Sequence, residues 1–241
     1  MSRIGIGIPV YNGEGSLLKT LWSIRAQTFT DYTLYIIDDG STDSTWEVIK
    51  EGIRMFSEEQ VHIHRHKTNL GIQKTRNDLF NFYSFYGSWK NPSIEYFIYV
   101  DDDLGLNPAF LFTLISALDM HPKTAYAYCD FQWKGHFQHR QQAIPFDSEV
   151  LRQQPYISMM SMFRMSCLLQ VEQPLIDEEL ERLEDWALFL KLLNHGYQGL
   201  YIPGFMGFYA YSKEGDNSAR GIKDYRRWEA IVKQKYNRGP S

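Results

Sequence analysis

Strand and helix patterns alternate through the first half of the chain, and this alternation constrains the fold more than any other feature. Apolar strand patterns cover residues 4–10, 32–37, 61–65 and 96–100, and residues 17–27, 44–53, 75–86 and 107–120 have helical spacing. Ser44 and Glu47 predict a capping box at the second helix, and Asn107 followed by Pro108 predicts the start of the fourth. Repeated strand–helix units predict an α/β fold with a doubly wound, mostly parallel sheet and helices on both faces.

The second half of the chain has a weaker pattern. Residues 132–156 are polar, rich in His and Gln, and lack clear periodicity, so we expect an irregular segment there. A helix is predicted at residues 183–193, ending before Gly196, and a short strand at residues 199–202. Because no repeat or flexible linker separates the two halves, we expect a single domain over residues 1–241.

Composition excludes several classes of protein. Of the 241 residues, 44% are hydrophobic and 22% are charged, which is typical of a soluble folded chain rather than a disordered one. Cys129 and Cys167 are too few for a disulfide scaffold or a cysteine-based zinc site. The apolar runs are shorter than the ~20 residues that cross a bilayer, and the N-terminus leads into a strand pattern rather than a signal peptide. We therefore expect a cytoplasmic protein.

Charge is unevenly distributed along the chain. The formal net charge of −4 argues against a general nucleic-acid binder. The end of the chain is nevertheless basic, which indicates either a solvated helix face or a contact with substrate phosphates or an anionic membrane surface. The second alternative would make the protein peripheral to a membrane. The basic residues are Arg220, Lys223, Arg226, Arg227, Lys233, Lys235 and Arg238, against Asp224 and Glu229.

Polar side chains follow three of the predicted strands at the point where each strand ends. Tyr11 follows the first strand, Asp38 and Asp39 the second, and the triplet at 101–103 the fourth. Ligands of doubly wound sheets bind at the carboxyl ends of the strands, so these residues predict a site. Three adjacent carboxylates favour a bound Mg²⁺ or Mn²⁺, although an acidic loop that caps the next helix is the alternative.

Glu184 and Asp185 begin the helix that is predicted in the second half. The helix dipole alone favours carboxylates in a first turn. A general base that deprotonates a substrate hydroxyl would need the same placement, provided that the helix start faces the metal site. The spacing leaves both interpretations open.

Three histidines, His62, His64 and His66, alternate along the third predicted strand and so point to one side of it. With Val61 and Ile63 on the core face, the histidines are expected to face outward. A zinc-binding face is the less favoured alternative.

A series of motifs, taken in order along the chain, resembles those of the family 2 glycosyltransferases. These motifs extend from about residue 3 to 218 and together are highly specific. They are Ile-Pro-Val-Tyr-Asn at 8–12, Gln-Thr-Phe at 27–29, Asp-Asp-Gly-Ser-Thr-Asp at 38–43, Asn-Leu-Gly at 69–71 with Arg-Asn at 76–77, Val-Asp-Asp-Asp at 100–103, and Leu-Glu-Asp-Trp at 183–186. The resemblance implies the GT-A fold and a nucleotide-sugar donor, with residues 1–105 binding the donor and residues 106–241 the acceptor.

The resemblance also implies where the donor binds. Tyr11 would stack on the nucleotide base, Asp39 would accept a hydrogen bond from a ring N–H, and Pro9 and Asn12 would complete the base site. Arg76 would lie near the ribose or the diphosphate. UDP is the most common nucleotide in the family, while GDP and dTDP remain open.

For the chemistry, the resemblance implies a metal and a base. Asp101 and Asp103 would form the D-x-D pair that holds Mn²⁺ or Mg²⁺, with Asp103 the more direct ligand, and Asp102 could assist either. The cation would neutralise the leaving nucleoside diphosphate. Asp185 would deprotonate the acceptor hydroxyl, so that transfer inverts the anomeric carbon.

The C-terminal segment matches the family less closely. Residues 224–228 resemble the Q-x-x-R-W motif of processive synthases, but Asp224 stands where Gln is expected. We therefore predict transfer of a single sugar, with Arg227 and Trp228 as candidate lid residues. The segment 209–218 resembles the loop that closes over the donor.

Two alternative functions and the acceptor remain open. A nucleotidyltransferase would share a related core but would normally have a basic, Gly-rich loop after the first strand, where this chain has Glu14. A nucleotide-sugar-binding module without catalysis is the second alternative, against which Asp103 and Asp185 argue. Residues 132–156, with Trp133, Phe137 and Phe146, are the candidate acceptor region.

Overall fold

A mixed sheet of nine strands runs through the part of the chain that the structure, a computed structural model, describes: residues 2–86, 94–135, 138–212 and 221–237. The strand order is β3-β2-β1-β4-β8-β6-β9-β5, and β7 pairs with β6. The first four strands are parallel, β8 is antiparallel to both β4 and β6, β6 and β9 are parallel, and β5 is antiparallel to β9. The strands are β1 Ile4–Val10, β2 Tyr32–Asp38, β3 Val61–Arg65, β4 Tyr96–Tyr99, β5 Leu104–Leu106, β6 Tyr126–Gly135, β7 His139–Gln141, β8 Met162–Arg164 and β9 Gly199–Ser212.

Helices cover both faces of this sheet. They are α1 Leu17–Arg25, α2 Thr45–Gly52, α3 Ile72–Asn81, α4 Phe110–Met120, α5 Ser148–Gln153, α6 Met165–Leu168, α7 Glu184–Asn194 and α8 Gly221–Tyr236. None of the helices among the described residues has both the length and the hydropathy to span a membrane.

The alternation of Ile and Gly in β1 assigns its two faces to different helices. Ile4 and Ile6 are fully buried in the hydrophobic cluster that contains α1. Gly5 and Gly7 face α3 and the helical segment Phe82–Tyr86 that follows it. A Cβ on Gly5 would lie 2.9 Å from the ring of Tyr83, and a Cβ on Gly7 would lie 3.2 Å from Leu79 Cβ. The absence of side chains on this face lets α3 pack closely against the strand.

The sequence-based prediction of the sheet and its flanking helices is confirmed, with differences at the helix starts. α2 has no capping box; instead the carboxylate of Asp43 accepts from the backbone N–H of Thr45 at 3.0 Å. α4 begins at Phe110 rather than 107, because the side-chain oxygen of Asn107 accepts from the N–H of Ala109 and forms a turn ahead of the helix.

The second half is more regular than its pattern indicates. Residues 132–156 contain the end of β6, all of β7 and the helix α5. β9 has 14 residues instead of the four predicted, and it pairs with β6 and β5 along its length. The β6–β9 register shifts on either side of Asp130, close to Pro203 and Gly204, which accounts for the apparent strand end in the sequence.

Candidate active site

Loops at the carboxyl ends of β1, β2 and β4 converge at one edge of the sheet, as predicted. Tyr11 follows β1 and is 47% exposed, so its ring is available to a ligand. Pro9 lies inside β1 and is buried. The end of β1 is fixed to β2 by a hydrogen bond from the N–H of Asp39 to the carbonyl of Val10, at 2.8 Å.

Asn12 braces the first loop against the second. It adopts a left-handed backbone with φ 51°, and its side-chain oxygen accepts from the N–H of Thr42 at 2.9 Å. Its own N–H donates to the hydroxyl of Ser41 at 2.9 Å. Asn tolerates this backbone conformation better than most residues, which explains the residue type at the turn. Asn12 therefore shapes the loop that presents Tyr11.

Asp39 is buried and collects three donors from one side of the site. The N–H groups of Leu70 and Gly71 donate to its two oxygens at 2.9 and 2.8 Å. The ring nitrogen Nδ1 of His66 lies 2.7 Å from Oδ1. The expectation that His62, His64 and His66 all face outward is wrong for His66, which follows the end of β3 and whose side chain is only 8% exposed. No signal in the sequence distinguishes it from His62 and His64.

The acidic triplet divides among different partners. Asp101 pairs with Arg76, the carboxylate of Asp102 accepts from Ser16 Oγ at 3.3 Å, and the carbonyl of Asp103 accepts from the N–H of Tyr211 at 3.3 Å. The turn ahead of α1 leaves no space for a side chain at Gly13, whose Cβ would overlap Asp102 Oδ2. The sequence predicted the cluster but not these partners.

The carboxylates of the acidic triplet fit a divalent cation that takes its remaining ligands from a substrate. Among the described residues, no group of three or more His, Cys, Asp or Glu side chains is arranged to hold a metal ion. Mg²⁺ and Mn²⁺ at phosphate sites commonly use one or two protein carboxylates and take their other ligands from phosphates and water. Asp101, which is about one-third exposed, and Asp103 meet that requirement.

Arg76 links the acidic triplet to the second half of the chain. This buried residue of α3 donates through Nη2 to Asp101 at 2.9 Å and through Nη1 to Glu184 at 2.6 Å. Its Nε is buried and has no hydrogen-bond partner among the described residues. A planar guanidinium can bridge two carboxylates in this way, whereas an ammonium group provides only one point of charge.

Asp185 lies in the first turn of α7, beside Glu184. The helix is anchored by Trp186, which is fully buried and donates through Nε1 to the carbonyl of Leu151. Burial, and secondly the charge of Glu184, raise the pKa of Asp185 to about 6, although the N–H of Trp186 and the charge of Arg76 oppose that rise. A carboxyl group with a pKa near neutrality is suited to accept and release a proton.

The backbone at the start of α7 adopts a costly conformation. Leu183 has φ 63°, in the left-handed region that a branched side chain rarely occupies. Such residues cost about 1–3 kcal/mol and cluster at functional sites. The conformation turns the chain directly into the helix that carries Glu184 and Asp185, so it contributes to their placement.

The C-terminal helix α8 lies close to this group. Burial, with the charges of Glu229 and Asp185, raises the pKa of Tyr225. Trp228 is buried, and the guanidinium of Arg227 lies 5.2 Å from the centre of its ring. Residues 213–218 of the predicted lid and Phe137 lie outside the described residues.

Part of the basic charge on α8 is neutralised within the protein. Lys233 pairs with Glu229 at 2.7 Å, and Lys235 pairs with Asp177 and Glu179 at 2.8 Å each. Arg220 and Arg238 lie outside the described residues.

Comparison of the sequence with protein families accounts for this arrangement. The family described as Glycosyl transferase family 2 matches residues 6–170, which is more than half of the chain. The chain belongs to glycosyltransferase family 2. The match includes the loops of Tyr11 and Asp39 and the acidic triplet, and it ends before Glu184 and Asp185.

Curated relatives share part of the chain. Glycosyltransferase GlyA of Streptococcus pneumoniae is 34% identical over 113 residues, which are 46% of this chain and 14% of GlyA. A poly(ribitol-phosphate) beta-glucosyltransferase of Bacillus spizizenii is 33% identical over 103 residues, 42% of this chain and 15% of that protein. The chain thus covers only about a seventh of the length of these relatives.

Solved structures share the fold over nearly the whole chain. S. aureus TarS, residues 1–349, in complex with UDP-GlcNAc has a TM-score of 0.74 at 18% identity, covering 96% of this chain and 65% of that 1–349 chain. Mannosyltransferase PcManGT from Pyrobaculum calidifontis, in complex with GDP-Man and Mn²⁺, has a TM-score of 0.66 at 16% identity, covering 95% of this chain and 61% of that one. The fold is that of GT-A glycosyltransferases.

Proposed function

We propose that this protein is an inverting glycosyltransferase that moves one sugar from a nucleotide-sugar donor, most favourably a UDP-sugar, to an acceptor hydroxyl in a metal-dependent reaction. One observation carries the proposal. Arg76 joins Asp101 of the acidic triplet to Glu184, the neighbour of Asp185. The residues assigned to bind the diphosphate and the residue assigned as general base therefore belong to one network of charged side chains. Transfer of the sugar from the diphosphate to the acceptor hydroxyl requires these two groups to lie near each other.

The donor binds at the carboxyl edge of the sheet. The exposed ring of Tyr11 stacks on the nucleotide base, and Asp39 accepts a hydrogen bond from it. Pro9 and Asn12 hold the loop that carries Tyr11. Arg76, which is paired with Asp101, lies near the diphosphate and contributes positive charge to that part of the site. Family membership and the fold shared with a UDP-GlcNAc complex support this placement.

Asp101 and Asp103, assisted by Asp102, are the residues that would hold Mn²⁺ or Mg²⁺ together with the diphosphate oxygens. The bound cation would offset the charge that develops on the leaving nucleoside diphosphate. The exposure of Asp101 at the edge of the sheet leaves its carboxylate accessible from the donor side.

Asp185 acts as general base. Its carboxylate takes the proton of the acceptor hydroxyl as that oxygen forms a bond to the anomeric carbon of the donor sugar. The bond between the anomeric carbon and the diphosphate oxygen breaks on the opposite side, so the configuration inverts and the nucleoside diphosphate leaves. The raised pKa of Asp185 favours this proton transfer near neutral pH.

Calorimetric titration with UDP, GDP and dTDP, each with and without Mn²⁺, tests the donor site. We expect binding of UDP that Mn²⁺ strengthens. Binding of none of the three would contradict the proposal, because the chain would then lack the donor site on which the proposal depends. Because one relative is named as a poly(ribitol-phosphate) glucosyltransferase, UDP-glucose and UDP-GlcNAc with poly(ribitol phosphate) are the first pairs to assay for UDP release.

Substitution of Asp103 tests the metal assignment. We expect Asp103→Ala to abolish the strengthening of UDP binding by Mn²⁺, because the diphosphate–cation pair then loses a protein ligand. Affinity without metal should stay within about twofold of the wild type. An Mn²⁺ effect equal to that of the wild-type protein would refute the role of Asp103. Glu179→Gln, on an exposed loop, is the control.

A further inference from the structure

His66 lies between two carboxylates in the part of the site that is assigned to the nucleotide base. Its Nδ1 is 2.7 Å from Asp39 Oδ1, and its Nε2 is 3.4 Å from Asp78 Oδ2 on α3. An ionised carboxylate only accepts hydrogen bonds, so Nδ1 carries the proton that His66 shares with Asp39. Because the backbone N–H of His66 also donates to the carbonyl of Asp38 at 2.9 Å, the ring is fixed relative to the end of β2.

The donors around Asp39 leave it little capacity to accept more. Oδ1 receives both His66 and the N–H of Leu70, while Oδ2 receives the N–H of Gly71. A carboxylate has about four accepting positions, two on each oxygen. Among the described residues, three of these positions are filled, and the one that remains is on Oδ2.

The loop that supplies these donors cannot move away from Asp39 easily. Gly40 has φ 71°, and a Cβ at this position would lie 2.5 Å from the carbonyl carbon of Thr68 and 2.7 Å from the nitrogen of Asn69. The backbones of the two loops are therefore in direct contact. A cavity of about 400 Å³ opens beside them, and His66 forms part of its wall.

We propose that His66 is a specificity-determining positioning residue that restricts the donor to a nucleotide whose base presents a single ring N–H, such as uracil. The inference rests on the proposed function, which places the base against Asp39. The N3–H of uracil needs one acceptor, which Oδ2 provides. Guanine presents N1–H beside an amino group and needs both oxygens of a carboxylate, but His66 and Leu70 already occupy Oδ1.

Binding of UDP and GDP in the presence of Mn²⁺ tests the role of His66. Calorimetry compares the wild type with two variants. His66→Leu removes the hydrogen-bond donor but keeps a side chain of similar size, and His66→Ala removes both the hydrogen-bond donor and the volume of the side chain. We expect the wild type to prefer UDP at least about tenfold, and either variant to reduce the ratio of the two affinities by about tenfold or more. His66→Asn, whose amide can donate to Asp39, should recover most of the preference.

His62→Ala is the matched control, because His62 lies on β3, is exposed, and contacts the ring of Phe82, which is outside the proposed nucleotide site. It should leave the affinity ratio unchanged. If His66 had a purely structural role, its substitution would weaken the binding of UDP and of GDP equally and leave the ratio of the two affinities unchanged. That result would overturn the inference. A wild-type protein that binds GDP as well as UDP would overturn it too. Failure of the wild type to bind either nucleotide would instead refute the proposed function.

Discussion

At the scale of single residues, Asp185 carries the assigned proton transfer. We predict that Asp185→Asn lowers kcat by about 100- to 10,000-fold, the usual contribution of general acid–base catalysis. The affinity for UDP should remain within about twofold, because Asp39 and Tyr11, the residues proposed to bind the nucleotide base, follow β2 and β1 and not α7. Turnover assays and calorimetry on the same preparation measure both. A loss of UDP affinity as large as the loss of turnover would contradict the assignment, and Glu181→Gln on the exposed loop before α7 is the control.

The pKa of Asp185 also predicts a pH dependence. A general base acts in its ionised form, so kcat/KM should fall about tenfold per pH unit below the pKa of about 6 and level off above it. The charge of Glu184 contributes to that raised pKa, so Glu184→Gln should move the acid limb to lower pH. The pH–rate profiles of the two proteins test this, and coincident acid limbs would count against it.

At the scale of elements, α3 and α7 meet through the guanidinium of Arg76. We predict that Arg76→Lys keeps the fold but reduces turnover at least about tenfold, because an ammonium group cannot donate to Asp101 and Glu184 in the same planar geometry. Circular dichroism and steady-state kinetics provide the comparison. Lys74→Arg, two residues earlier on α3 and paired with Asp78, is the control and should behave as the wild type.

Elements were predictable wherever the signal is local. The apolar runs at residues 4–10 and 96–100 predict β1 and β4, and the acidic triplet at 101–103 predicts where the site lies. The predicted length of β9 is too short because its partners β6 and β5 are distant in sequence and because Pro203 and Gly204 within it resemble the end of a strand. The bonding of His66 to Asp39 depends on how two loops pack, which a residue pattern does not encode.

At the scale of the whole molecule, two hydrophobic clusters lie on either side of the sheet. One contains Ile4 and Leu17, and the other contains Phe97, Trp186 and Val232 of α8. The second cluster brings α7 and α8 together on the same face. The position of Glu184 and Asp185 at the start of α7 therefore depends on a packing that includes α8.

A polar contact at the end of α8 completes this packing. The buried carboxylate of Asp177 accepts from Lys235 Nζ at 2.8 Å and from the hydroxyl of Tyr236 at 2.5 Å. Burial opposes the ionisation of Asp177, but the hydrogen bonds from Lys235 and Tyr236 outweigh it and hold the pKa of this carboxyl below its usual range. Its ionised form therefore stabilises the folded state.

We predict that Asp177→Asn lowers the free energy of unfolding by about 1–3 kcal/mol, the usual cost of removing a charged hydrogen-bond acceptor, with Glu179→Gln as a control of little effect. The contribution of Asp177 should be complete above its unfolded pKa of about 4 and disappear as the pH falls through the lower folded value. Urea unfolding at pH 7 and pH 3 tests both points. The two proteins should differ in stability at pH 7 and converge toward pH 3, and an equal difference at both values would show that Asp177 acts through packing rather than through its charge.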